Sequence, residues 1–553
     1  MIPGRRPVKR YLKPAAASLL AGATAVTYTA CGSSSAPSTT TAKSGGTITI
    51  VAGTPPLSAD QGLDFTTQGT ELYSVINTPL LTFARGVEGV GGSQIQPALA
   101  KSLPTVSSDG LTYTFQLRPN LHYSNGTAIK ASDEAYALER DLKIPWQAAS
   151  FISAYVVGGT DYANGKASSI SGITTDDATG TITVKLVAPF APIVDIFALA
   201  GTAPVPPSTP MTNQANTGTI GDGPYKWGPI TPGQSYTLVK NAKFDVPGLP
   251  AGHADTIDYK VNSNVLADAE QVLNNQADVF DPGDTLPASI LQQVKTQAAD
   301  RYQAVPTNST FYFWFGVTQK PFNNLYARQA VLAALDLRAL SRLDSGFLTE
   351  DCHLIPPGII GHSSPSSCPF HDPNGPPNMT MATQLMQKSG MIGQPVTVYG
   401  EDRSPRRQYL DYFTSVLNTL GFKASEKVLS SGVYFTTIGA PTLMPQAGFG
   451  DWIQDFPSPW DFMQLFAGNA GSSLNYGYVN DARYNSGLAQ LSQVQPSTVA
   501  NDWSALDQYA VQNGYYAAYG HEEFPKFYSN RIDFGTGVMS VEYQTDMTSL
   551  QLK

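Results

Sequence analysis

From residue 47 onward the apolar positions switch repeatedly between a two-residue period and a period of three to four. Thr47-Ile48-Thr49-Ile50-Val51 reads as a buried strand, and Leu72, Val75, Ile76 and Leu80 then share one side of a helix predicted over about 71–81. Asp109-Gly110 is a hairpin-type turn signal, beyond which Tyr113, Phe115 and Leu117 alternate with polar neighbours as in a half-buried strand. Ser132 reads as an N-cap, with Asp133 and Glu134 in a first turn that favours acids, for a helix to about Leu142. A turn at 177–180 precedes a second alternating run at 181–186. One long helix is predicted over 326–343 on Val331, Leu332, Leu335 and Leu340. Residues 396–399 read as a strand, and 408–420 as a helix with Leu410, Phe413, Leu417 and Leu420 on one face and Gly421 closing it. Strands alternating with helices predict α/β layering, and no fixed-period repeat or run of 18 apolar residues interrupts it.

Composition adds size and partners to that picture. A chain of 553 residues, 42% hydrophobic and 10% aromatic, can bury the cores of two or three domains and is too apolar for disorder. Only 14% of residues are charged, while 49 Gly and 41 Pro predict many loops. The formal charge is −9; setting aside residues 1–30, which hold five bases and no acid, leaves 29 Lys+Arg against 43 Asp+Glu. So acidic a body repels phosphate backbones, which excludes a nucleic-acid partner and favours neutral or cationic ones.

The first 31 residues read as an address. Arg5, Arg6, Lys9, Arg10 and Lys13 precede an apolar, Ala-rich run over 15–26, too short to span a bilayer as a mature helix. The junction Ala30-Cys31-Gly32-Ser33 resembles a bacterial lipobox, in which Cys31 is lipidated and becomes the new N-terminus; Tyr28 departs from the usual Leu. Residues 32–46 then read as a flexible tether that holds the folded body off a membrane. In that oxidising setting Cys352 and Cys368 are expected to form a disulfide. His353, His362 and His371 lie around them, but the spacing fits no standard zinc pattern and Pro356-Pro357 and Pro365 interrupt it, so no metal and no cofactor is expected.

The candidate chemistry is concentrated in Gly450-Asp451-Trp452-Ile453-Gln454-Asp455-Phe456-Pro457, a loop-like run followed by Ser458-Pro459-Trp460-Asp461-Phe462. An acid beside an aromatic wall suits a cationic group on a ligand. The residue types alone leave a structural alternative open, in which Asp455 caps the next turn, Trp452 is core and Asp451 is solvated.

A collinear set of motifs narrows the choice. It starts at Gln96-Pro97-Ala98-Leu99-Ala100 and Ser108-Asp109-Gly110-Leu111-Thr112-Tyr113-Thr114-Phe115, then Tyr123-Ser124-Asn125-Gly126-Thr127 and Ser132-Asp133-Glu134-Ala135-Tyr136-Ala137. Gly223-Pro224-Tyr225-Lys226-Trp227, Lys320-Pro321-Phe322-Asn323, Ile355-Pro356-Pro357-Gly358 and Trp452-Ile453-Gln454-Asp455-Phe456-Pro457 follow. Over 47–550 the chain resembles the family-five solute-binding proteins of ABC importers, the dipeptide- and oligopeptide-binding lipoprotein group.

The resemblance implies a bilobal, periplasmic-binding-protein-like α/β fold (type II, cluster C) with an extra domain inserted in the first lobe. By position, lobe one is 47–88, 201–305 and 518–553, the inserted domain 89–200 and lobe two 306–517, with ligand between lobes that close by hinge motion. It implies that Asp455 pairs with the α-ammonium of a short peptide, that Trp452 lines the cleft, and that the backbones of Asp451 and Ile453 pair with the ligand main chain. Thr67 falls near a further backbone contact. Peptide members usually carry Gly where this chain has Asp451, which narrows the pocket or favours a basic ligand. The implied partners are ABC permease subunits and, through the lipid anchor, the cell membrane, for a monomeric extracytoplasmic receptor. A metal chelate, opine or sugar is the alternative cargo. A secreted hydrolase is the alternative of a different class, but the chain has no Gly-x-Ser-x-Gly, no His-Glu-x-x-His and no phosphate-binding loop, so no enzyme activity is expected.

Overall fold

The computed structural model describes residues 44–553 apart from 145, 441 and 469–473; Cys31, the signal segment 1–31 and the tether up to residue 43 lie outside the described residues. A single hydrogen-bonded path of strands runs through most of the chain. Thr47–Ala52, read as a strand from sequence, lies parallel to both Thr256–Val261 and Val279–Phe280. Thr256–Val261 continues antiparallel into Ser235–Lys240 and Tyr225–Thr231. On the other side, Val279–Phe280 meets the far end of the 13-residue strand Tyr516–Tyr528. The near end of that strand pairs instead with Ser309–Phe315, which passes the sheet on to Ala447–Ile453, Pro395–Glu401 and Lys423–Leu429. Tyr516–Tyr528 therefore ties the two halves of the path together.

Ser309–Phe315 is buried at every position, as a continuous apolar run covered on both faces requires. One cover is the helix Arg406–Thr419, whose Tyr409, Leu410, Phe413 and Leu417 are buried; Phe413 stacks on Phe313 with ring centroids 3.9 Å apart. Thr105–Val106, Thr112–Gln116, Thr181–Lys185 and Ile173–Asp176 form a separate four-stranded antiparallel sheet. Its Tyr113, Phe115, Ile182 and Val184 are buried under the helix Ala131–Lys143. Arg140 of that helix, fully buried, bonds Asp60 through Nη1 at 2.9 Å and donates to the carbonyls of Pro210 and Thr212, joining three distant segments.

Four expectations from periodicity are corrected. The first helix is Thr67–Ile76 rather than 71–81, because Pro79 disfavours helical backbone at Thr78; Leu81 starts a short strand that pairs with Ile95–Pro97. In the helix Ala131–Lys143 the N-cap is Lys130, whose N–H donates to Asp133, while Ser132 bonds Asp177 instead of capping. The predicted helix over 326–343 is two, Leu325–Ala334 and Leu337–Leu343, because Asp336 turns its carboxylate onto the Ala339 N–H and caps a new start. The run at 450–457 is not a loop throughout: Ala447–Ile453 is a strand, and the turn starts after it. The expected helix over 408–420 is present as Arg406–Thr419, with Gly421 at φ +94° just past its end.

Candidate functional site

The strand Ala447–Ile453 pairs with Ser309–Phe315 along its whole length, but with Pro395–Glu401 only at Ala447 and Gly448. Gly448 and Gly450 let the neighbouring strand's large rings approach: a Cβ at Gly448 would lie 2.4 Å from the Trp314 ring and one at Gly450 2.7 Å from that of Tyr312. The N–H of Gln454 donates to Asn308 at 2.9 Å, so by alternation Gly450 and Trp452 also turn their backbone groups to that neighbour. Phe449, Asp451 and Ile453 turn theirs the other way. Phe449 is met there by the Tyr434 hydroxyl, 2.7 Å from its carbonyl and 3.1 Å from its N–H. Beyond it, at Asp451 and Ile453, no strand among the described residues takes up that edge. These are the two backbones that the resemblance assigns to a ligand main chain.

Asp455 follows in the turn. Its residue is half-buried, yet its Oδ2 is buried and no N–H or hydroxyl donates to it. Asp461, wholly buried in the first turn of the helix Pro459–Met463, accepts from the Trp452 indole N–H at 3.2 Å and from the Asp455 N–H at 2.9 Å. The indole and the Asp455 backbone thus hold the Asp461 carboxyl, and the Asp455 carboxyl lies against it. Burial, then repulsion from Asp461 and a hydrogen bond shared with its carboxyl, and last repulsion from Glu542, push the Asp455 carboxyl well above the usual carboxylate range. Burial raises Asp461 to about 7, and burial likewise raises Glu542 to about 7 against the opposing pull of Arg85. Gln454 brings Glu542 close by donating to the Val541 carbonyl at 2.8 Å. The result is an acidic recess beside an indole, in which Oδ2 of Asp455 has no donor other than a proton shared with Asp461. Asp455 does not cap the next helix; the Ser458 hydroxyl does, accepting from the Trp460 N–H.

Asp451 is neither solvated nor free to favour a basic ligand by itself. Its carboxylate is 2.8 Å from Nη2 of Arg406, whose guanidinium lies over the rings of Phe311 and Phe449 at 4.3 and 5.0 Å. Nε and Nη1 of Arg406 are buried without a hydrogen-bond partner, and Asp451 foremost, with Glu522 and Glu401, raises its already high pKa further against the cost of burial. Arg403, three residues earlier, donates to the Thr54 hydroxyl at 3.2 Å and so links the helix start to the segment after Thr47–Ala52. Sequence reading missed both arginines, although Arg403, Arg406 and Arg407 form a basic knot in an acidic chain.

Thr67 opens the first helix, two residues after Phe65. The Phe65 ring packs against Phe151 at 5.9 Å, and Phe151 in turn against Phe456 and Trp460 at 6.1 and 5.7 Å. Thr67 is thus joined to the Asp455 turn through a chain of rings rather than by a direct contact. Cys352 and Cys368 are paired, as expected. The rings of His353 and His362 meet edge to face with centroids 6.4 Å apart, Nδ1 of His353 meets Asp507 at 3.0 Å and its Nε2 meets Ser367 at 2.9 Å, while His371 belongs to neither cluster of close ligand atoms among the described residues.

Among the described residues no helix is long and apolar enough to cross a membrane. The model of the bacterial extracellular solute-binding proteins, family 5 middle, matches residues 94–473. The glutathione-binding protein GsiB of Escherichia coli O1:K1 / APEC is 26% identical over 357 residues, and the chain spans only 64% of that relative's length and 64% of its own. The dipeptide-binding protein DppE of Bacillus subtilis (strain 168) is 25% identical over 419 residues, 72% of this chain and 73% of that one. The solved structure of the clavulanic acid biosynthesis oligopeptide binding protein 2 superposes with a TM-score of 0.80 at 20% identity, over 92% of this chain and 96% of that one.

Proposed function

Since the chain belongs to the family 5 bacterial extracellular solute-binding proteins and has a bilobal, type II (cluster C) periplasmic-binding fold, we propose that it captures short peptides between its lobes and hands them to the permease of an ABC importer. The observation that carries this reading is the buried carboxyl of Asp455, set against that of Asp461, which the Trp452 indole holds, next to the open strand edge at Asp451 and Ile453. A peptide α-ammonium, ordinarily protonated below a pH of about 8, supplies the donors and the positive charge that this acidic recess lacks. The peptide main chain then adds to the edge as a further strand, which favours tolerance of side-chain sequence.

On this reading lobe one comprises 47–88, 201–305 and 518–553, the inserted domain 89–200 and lobe two 306–517. The four-stranded sheet at 105–185 falls inside the proposed insertion, and Tyr516–Tyr528 is the hinge strand. Thr67 belongs to the lobe-one wall of the cleft. Cys31 carries the lipid that holds a monomer at the outer face of the cell membrane, and no reaction is catalysed. The test compares a short peptide with its N-acetylated form by calorimetry. The free amine binds more tightly; equal affinity for both forms removes the α-amine role of Asp455. Recovery of intact peptide after denaturing the complex separates a receptor from a hydrolase.

A further inference from the structure

We propose that Asp351, His362 and His521 form a binding site for one divalent transition-metal ion, zinc being the type case, separate from the peptide edge. Asp351 and His362 come from one loop, but His521 is 170 positions beyond Asp351, and the fold brings it to them. Nε2 of His521 lies 3.2 Å and Nε2 of His362 3.8 Å from the same oxygen, Oδ2 of Asp351. All three ligand atoms lie within 4.8 Å of one another.

The other ring nitrogens decide the chemistry. Nδ1 of His521 is 2.8 Å from the Ser309 carbonyl, and Nδ1 of His362 is 2.8 Å from the Ile355 carbonyl. A carbonyl oxygen only accepts, so each Nδ1 holds the ring's proton. That leaves Nε2 of each ring as the nitrogen turned toward Oδ2 of Asp351. Two imidazole nitrogens and a carboxylate oxygen that converge in this way form a set of ligand atoms that one metal ion can bridge at once. Histidines held by a backbone carbonyl at the second nitrogen are the arrangement that orients metal ligands. In tetrahedral zinc coordination, bond lengths of about 2.0–2.2 Å place ligand atoms roughly 3.3–3.5 Å apart. The two observed separations bracket that value, so small side-chain shifts complete the geometry.

The scaffold is rigid where it needs to be. His521 is on Tyr516–Tyr528, and Asp351 follows the short strand Leu348–Thr349, whose Thr349 is the register partner of His521. The other oxygen of Asp351 accepts from the His353 N–H at 3.0 Å, which leaves Oδ2 for the ion. His362 lies inside the loop closed by Cys352 and Cys368 and is the most exposed of the three, so the ion and a completing water enter from its side. The neighbouring group of Asp351, Cys352, His353 and Cys368 offers no competing site, because its sulfurs are joined and both nitrogens of His353 are engaged.

The experiment uses the tag-free, oxidised full chain, stripped with a chelator and then titrated with zinc chloride by calorimetry and with cobalt chloride by visible absorption. One equivalent of zinc is expected, together with the absorption bands of low-coordinate cobalt. His362→Ala and Asp351→Asn each weaken zinc binding by at least about tenfold, while His371→Ala leaves it unchanged. His362 is partly exposed, so its variant decides the matter even if Asp351→Asn fails to fold. Absence of a zinc equivalent in the wild type, or equal affinity in His362→Ala, overturns the site. Peptide binding is not part of the readout, so the outcome is independent of the cargo.

Discussion

Replacing Asp455 by Asn separates a ligand-binding carboxylate from a structural one. The side chain keeps its shape but loses its charge. A charge-assisted hydrogen bond between ammonium and carboxylate contributes on the order of 1.5–3 kcal/mol net, so Kd for a free-amine peptide rises about 10- to 150-fold. The N-acetylated peptide already lacks that bond and loses little more, so the two changes together cost far less than their sum. The ligand-free protein responds in the opposite sense. Asp455 is an acid whose folded pKa lies well above its ordinary value of 3.8, mainly through burial and then through Asp461 and Glu542. Above pH 4 the unfolded chain releases this proton more readily than the folded one, so the group's contribution to stability declines as pH rises through its folded pKa. At pH 8 the Asn variant, free of that repulsion, therefore melts at or above the wild-type temperature while binding peptide more weakly. Calorimetric titration with both peptides and scanning calorimetry of the free protein read the two effects. Retention of the wild-type preference for a free amine in Asp455→Asn refutes the reasoning. So does a large loss of ligand-free stability at pH 8, which would make the carboxylate a structural element.

Three further outcomes rest on other buried groups of the fold. Asp461 and Glu542, each raised to about 7, are protonated in the folded chain at pH 5 and ionised by pH 8, so the melting temperature of the ligand-free protein falls across that window and saturating peptide offsets the fall; calorimetry from pH 5 to 8 shows it, and a rise with pH contradicts it. Asp60→Ala strands the fully buried Arg140 without its carboxylate and costs about 3–5 kcal/mol in urea unfolding. Cys352→Ser with Cys368→Ser opens a loop with a sequence separation of 16 and lowers unfolding free energy by about 3 kcal/mol in the chain-entropy view, readable by denaturant titration; an unchanged midpoint would place the loop's order in its other contacts.

Local pattern was enough for the elements whose periodicity is uninterrupted. Thr47–Ala52, Thr112–Gln116, Thr181–Lys185 and Arg406–Thr419 lie where their apolar positions place them, because one buried face is already written into the spacing. The same reading overran the break at Asp336, since a side chain folding onto a backbone N–H two or three residues ahead leaves no trace in a hydrophobic period. The collinear motifs from Gln96 to Pro457 carried the family, and with it Trp452 and Asp455 as candidates.

What the chain's order could not contain is which groups end up facing each other. It placed an acid at 455, but the fold set Asp461 and Glu542 against it and turned the Asp451 carboxylate onto Arg406. Likewise the spacing of the histidines near the cysteine pair fitted no metal pattern, whereas the strand Tyr516–Tyr528 supplied His521 from a distant part of the chain. Periodicity reports which face of an element is buried; acidity, ion pairing and metal geometry depend on distances between elements, and those exist only once the sheet has been assembled.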